Sequence, residues 1–169
     1  MNNKVSFTII AILFQSLFFT SCVSTKITSN KDASFNRKLK KIYVICNLGK
    51  DVSNFNERLF EGVKKKFTEN NITIDGFVRN PVALETDEDV LNKIRSYDPE
   101  ALMIIKQTHV TYYNGGPGGG VFEVSLIDKV SQKNIWKSEI DVTGPWWDED
   151  TSDSIVKKLI LKLKEDQII

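Results

Sequence analysis

Cysteine and histidine are nearly missing from this chain, which has two cysteines, Cys22 and Cys46, and one histidine, His109, in 169 residues. Two cysteines permit at most one disulfide, so no disulfide framework holds the fold together. His109 has no serine, cysteine or carboxylate in a recognisable arrangement near it in sequence, and it reads as a strand residue rather than a catalyst. Excess charge is absent too: 23 basic and 22 acidic residues give a formal net charge of +1. A nucleic-acid binder ordinarily carries a basic stripe, so that class of partner is set aside. No cofactor motif is present. The glycine run Asn114-Gly115-Gly116-Pro117-Gly118-Gly119-Gly120 leads into a strand pattern and lacks the Lys-Ser/Thr of a phosphate loop, so a flexible hairpin tip is expected there.

What the chain does have is a leader. Lys4 supplies a positive start, Val5–Phe19 is an almost unbroken apolar run, and Thr20-Ser21 precedes Cys22. This is the layout of a secretory signal. The run is short of the 18 or more residues of a membrane-spanning helix, and Ser6, Thr8, Gln15 and Ser16 dilute it. Residues 1–21 are therefore expected to be a signal peptide. Lys4 is its one charge, so the remainder carries 22 basic and 22 acidic residues.

Phe19-Thr20-Ser21-Cys22 resembles the lipobox of bacterial lipoproteins, although Phe19 stands where that box most often has Leu. The resemblance implies that Cys22 is acylated, with palmitate among the chains, and becomes the first residue of the mature protein. Two or three acyl chains hold a protein stably on a bilayer, whereas one binds only marginally. The residue after the cysteine is Val23 rather than the Asp that often retains lipoproteins in the inner membrane. The resemblance thus implies a periplasmic or outer-membrane lipoprotein whose membrane partner is reached through Cys22.

Residues 22–40 are polar and little periodic and are expected to form a lipidated tether, with a single α/β domain over 41–169. Ile42–Cys46 is a compact apolar run typical of a strand buried on both faces, and Cys46 within it reads as a small buried apolar residue. Phe55, Leu59, Val63 and Phe67 recur every four positions and predict a helix opening near Ser53. Ile72–Val78 is a weaker strand with a bend at Gly76. Thr86 then caps a helix that carries Asp87, Glu88 and Asp89 in its first turn and Val90, Leu91 and Ile94 on its apolar side. Helix-start chemistry accounts for those carboxylates, so no metal site is read there. Ala101–Ile105 is the expected central strand, Phe122–Leu126 and Ile135–Val142 complete a three-strand meander, and Ile155, Leu159 and Leu163 mark a closing helix. The fold class is α/β: a single mixed sheet of about five strands, in the order strand-helix-strand-helix-three-strand meander-helix, with helices packed on it.

At Leu126-Ile127-Asp128 and Asn134-Ile135-Trp136, with the amphipathic helix that follows, the domain resembles small envelope-lipoprotein domains of unknown function. More distantly it resembles the amino-terminal domain of the Tol translocation protein and the curli-secretion lipoprotein. These likenesses imply a non-enzymatic adaptor or assembly factor that works through protein contacts in the envelope. Trp146-Trp147, after the Gly144-Pro145 corner, are the expected partner contact, because exposed tryptophans are enriched at binding hot spots. Two other readings stand beside this one. Asp148 and Asp150 offer paired carboxylates for a wall or polysaccharide hydrolase, and the open sheet face or the glycine hairpin offers a place for a small ligand.

Overall fold

The computed structural model describes residues 23–49, 53–80, 82–113, 115–144 and 149–169. The leader, Cys22, Trp146, Trp147 and Asp148 lie outside these residues. The chain runs through β1 (Ser24–Lys31), β2 (Lys41–Asn47), α1 (Ser53–Glu69), β3 (Thr73–Val78), α2 (Asp87–Tyr97), β4 (Ala101–Tyr113), β5 (Gly116–Asp128), β6 (Asn134–Thr143) and α3 (Glu149–Glu165). One mixed sheet results, in the order β1-β6-β5-β4-β2-β3, with β2 parallel to β3 and β4 and the other neighbours antiparallel. It is the expected α/β fold with six strands rather than about five.

The period-2 alternation of the strands builds the core on one side of the sheet. Ile42, Val44 and Cys46 of β2, Met103 and Ile105 of β4, and Phe122, Val124 and Leu126 of β5 are all buried there. The four-residue spacing in α1 places Phe55, Leu59, Val63 and Phe67 over them, and Ile155, Leu159 and Leu163 of α3 complete the layer. Helices α1 and α3 also meet each other. A Cβ at Gly62 would come within 3.1 Å of Val156 Cγ2, so the missing side chain lets the helices approach.

Residues 22–40 are the point at which the structure departs from the expected tether. Ser24–Lys31 pairs antiparallel with β6, from Ser24 opposite Thr143 to Lys31 opposite Trp136. The segment after it is also part of the fold. Asp32 accepts hydrogen bonds from the amide and hydroxyl of Ser34, Phe35 and Leu39 are buried, and the Leu39 amide donates to the Ile168 carbonyl at 2.8 Å. The domain thus begins at its first described residues and not at Lys41. The reason it looked like a tether is that the inner side of β1 meets polar groups. Thr25 Oγ1 lies 2.8 Å from Ser154 Oγ, and the Lys31 ammonium donates to the Asp166 carbonyl at 2.8 Å, which leaves Ile27 as the only apolar residue pointing inward.

The glycine run is likewise less of a loop than expected, because Gly116–Gly120 lies within β5. A Cβ at Gly119 would sit 2.4 Å from the Val142 carbonyl oxygen, so close strand approach is what glycine provides here. At Gly76 the bend is real, with φ at 154° and a Cβ that would meet the Val44 carbonyl oxygen at 1.9 Å.

Asp166 ties the end of α3 to the first and last strands. Its carboxylate accepts from Ser29 Oγ at 2.5 Å and from the Trp136 indole at 2.7 Å, and it pairs with Lys162 at 3.3 Å. Burial pushes its pKa up, but the hydrogen bonds from Ser29, Trp136 and Lys162 outweigh that and hold it below the ordinary 3.8. A depressed carboxylate stabilises the fold above its unfolded pKa and loses that contribution as pH falls through the lowered native value. Asp166→Asn should therefore cost about 1–3 kcal/mol at neutral pH by urea unfolding. The gap between wild type and variant should close once the pH drops below the usual carboxylate range.

Candidate functional site

The two faces of the sheet are finished differently. Helices α1 and α3 seal one, and among the described residues α2 alone lies on the other, over β2 and β3. The first turn of α2 forms as its sequence predicts: the Thr86 amide donates to Asp89 Oδ2 at 2.9 Å and the Asp89 amide donates to Thr86 Oγ1 at 3.2 Å. Hydrogen bonds to its carboxylate from the Thr86 hydroxyl, at 2.7 Å, and from the Thr86 amide hold the Asp89 carboxyl below its ordinary pKa. Asp87 pairs with Arg79 at 2.8 Å, so two of the three carboxylates of this turn, Asp87 and Asp89, have partners within the helix start and the strand end beside it. Among the described residues no group of three His, Cys, Asp or Glu side chains is placed to hold a metal ion.

No residue of α2 is buried, and Leu91 is 47% exposed. A few rings prop the helix above the sheet. Tyr43 stands between Tyr97, 5.4 Å away by ring centroid, and Phe77 at 6.4 Å, while the Lys93 ammonium lies over the Phe77 ring at 5.2 Å. Open clefts run along both sides of the helix. One, of about 640 Å³, is bounded by Tyr43, Phe77, Lys93 and Tyr97, and the Tyr97 hydroxyl is buried without a hydrogen-bond partner among the described residues. The other, of about 510 Å³, is floored by Leu102 and Ile127 and walled by Leu91 and Ile94.

Beyond α2 this face carries no helix among the described residues. Ile45 of β2 is opposite Ile104 of β4, which is opposite Ser125 of β5, itself opposite Lys137 of β6. The row therefore passes from half-buried apolar residues to exposed charge, with Lys137 and Glu123 paired at 3.1 Å. Sequence reading offered an open sheet face only in general terms and took Ala101–Ile105 as the central strand without separating its two sides. Ala101, Met103 and Ile105 are buried, while Leu102 and Ile104 face the side away from α1 and α3 and are half-buried. The available signal was the weak apolar stripe of α2, three residues long and too small to cover the strand partners beneath it.

The residues singled out in the sequence fall in three places. Cys22, Trp146 and Trp147, together with Asp148, are outside the described residues, but their neighbours are adjacent, since a Cβ at Gly144 would touch Val23 Cγ2 at 3.2 Å. His109 is an exposed residue of β4 opposite Val121, as a strand residue should be, and Asp150 is an exposed residue at the start of α3. Cys46 is fully buried, and that burial pushes its thiol up to about 12, so it is an inert core residue.

No known protein family matches the sequence, and no curated protein matches it. Solved structures do match. PelC from Paraburkholderia phytofirmans, a dodecamer, aligns with a TM-score of 0.57 at 14% identity, over 86% of this chain and 99% of that one. Its L103M variant, also a dodecamer, gives 0.48 at 12% identity over 81% and 95% of the two chains. A PDZ domain protein from Parabacteroides distasonis gives 0.44 at 12% identity, covering 90% of this chain and 38% of that one. The first of these shows that the fold is shared.

The two faces should respond differently to substitution. Met103→Ala, on the sealed side, should cost about 2–5 kcal/mol. Its neighbour Ile104→Lys, on the uncovered side, should cost about 1 kcal/mol or less by urea unfolding. Equal losses would mean that the second face is covered.

Proposed function

We propose that this chain is a bacterial envelope lipoprotein, acylated on Cys22 and held at the outer membrane, that acts without catalysis as an adaptor or assembly factor. The observation that carries the reading is the order of the first 22 residues: one positive charge, a short apolar run, two small residues and a cysteine. A domain so anchored works on its neighbours, and the surface it offers them is the uncovered face of the sheet. That face has the make-up of a contact patch, with Ile45, Leu102, Ile104 and Ile127 at its centre and Lys106, Glu123 and Lys137 around it. Trp146 and Trp147 remain the second candidate contact, chosen from sequence.

The same face supports a narrower reading, in which the neighbour is another copy of this chain. PelC, which shares the fold, is a dodecamer. A half-apolar face covered by one thinly seated helix is a surface that self-assembly would bury.

Labelled palmitate should enter the full-length protein in cells, and Cys22→Ala should abolish the label. An unlabelled wild type would end the lipoprotein reading. Crosslinking in intact envelopes should attach neighbours to the wild type that Ile104→Lys, still folded, fails to capture. Adducts between identical chains alone would favour self-assembly, and capture unchanged in Ile104→Lys but lost in Trp146→Ala/Trp147→Ala would move the contact to the tryptophans.

A further inference from the structure

At one end of the sheet four strands, β1, β6, β5 and β4, are free of charge. From Val110 to Val121 the sequence has no Asp, Glu, Lys or Arg, and the same holds for Val142–Gly144 and for Val23–Thr25. The fold brings these three segments together. Ser24 is opposite Thr143, Thr143 is opposite Gly119, and Gly119 is opposite Thr111, so a single row crosses β1, β6, β5 and β4. The Gly144 amide adds a hydrogen bond to the Gly118 carbonyl at 3.0 Å. Past that row the β4–β5 hairpin continues outward through Tyr112 and Tyr113, which are 58% and 75% exposed. The opposite end of the sheet is highly charged, with Arg37, Asp98, Glu100, Asp128 and Lys129 in ion pairs.

Chain connectivity sets the distance between this end and the anchor. Cys22 precedes Ser24 by two residues, so it lies within about 7 Å of the row. Tyr113 is two residues beyond Thr111 on β4, also about 7 Å outward at the rise of a strand. β1 starts at that row, on the side toward which the two tyrosines project, so an acyl group on Cys22 would stand two residues of chain from the first residue of the sheet.

We infer that the Tyr112–Tyr113 hairpin is a membrane-docking tip that rests in the headgroup layer beside the acylated Cys22, so that the sheet stands on the bilayer by its uncharged end. This inference rests on acylation of Cys22. Tyrosine suits the position because its ring favours the apolar side of the interface and its hydroxyl the wet side. A charged side chain there would have to be desolvated, and the tip has none. The acidic start of α3, with Asp150 exposed, lies at the same end, since Ser154 of that helix meets Thr25. The tip brings no cation to meet an anionic headgroup, so the surface it fits is a zwitterionic one.

The test supplies the anchor chemically, which separates it from the question of acylation in the cell. The chain from Cys22 to Ile169 contains every described element, and with Cys46 buried, Cys22 is the thiol that couples to a maleimide phospholipid in phosphatidylcholine–phosphatidylethanolamine vesicles. A photo-crosslinking benzoylphenylalanine is placed in turn at positions 113, 112 and 130, the last replacing a residue that is 85% exposed in the turn at the far end. Thermal melts identify the folded variants, and position 112 stands in if 113 does not fold. Irradiation should join lipid to positions 113 and 112 and not to 130. Lipid adducts equal at all three positions, or absent from the hairpin, would overturn the inference, and so would adducts at 113 that join only a second copy of the protein. Failure of palmitate labelling in cells would instead count against the lipoprotein reading.

Discussion

Pairing between β1 and β6 is the constraint on which the arrangement of this protein depends. Eight residues that look like a flexible lead-in are instead an edge strand, Ser24–Lys31, paired along its whole length with β6. Ser29 and Trp136, on the two strands, converge on the Asp166 carboxylate, which lies just past α3. First strand, last strand and last helix are thereby fastened at one edge. An acyl group on Cys22 would then be attached to a rigid sheet corner rather than to a tether, and the orientation of the domain on a bilayer would follow from the sheet.

The asymmetry between the faces of the sheet follows from how many helices the chain supplies to each. Both 17-residue helices, α1 and α3, lie on one side, where alternate residues of β2, β5, β6 and the first half of β4 are buried. The other side receives the 11-residue α2, whose ring contacts around Tyr43 are enough to seat it and too few to bury it. A folded domain tolerates such a face when its apolar residues are partly shielded and mixed with charge, as Ile104 and Lys137 are here. A neighbour that covered it would add burial without any rearrangement of the core.

Much of the fold was legible in the sequence, because its signals were local and apolar. The stripe Phe55-Leu59-Val63-Phe67, the Thr86–Asp89 box and the alternation of Ile135–Val142 each appear as read. Two features were not legible. The inward partners of β1 are a serine, a carboxylate and a carbonyl on α3 and just beyond it, so the strand carries almost no apolar pattern, and its pairing depends on residues more than 100 positions away. The glycine run suggested a loop on composition alone, whereas its place in β5 is set by how closely Val142 approaches Gly119. The site was less legible than the fold, because a half-covered face arises from what the helices fail to cover, and no single residue announces it.

Hydrogen exchange of residues 24–31 tests most directly whether Ser24–Lys31 is an edge strand of the sheet. The account predicts that the alternate β1 amides facing β6 exchange slowly, with protection comparable to the core strands β5 and β6. Exchange across Ser24–Lys31 at the rate of an unstructured chain, with β5 and β6 still protected, would contradict it.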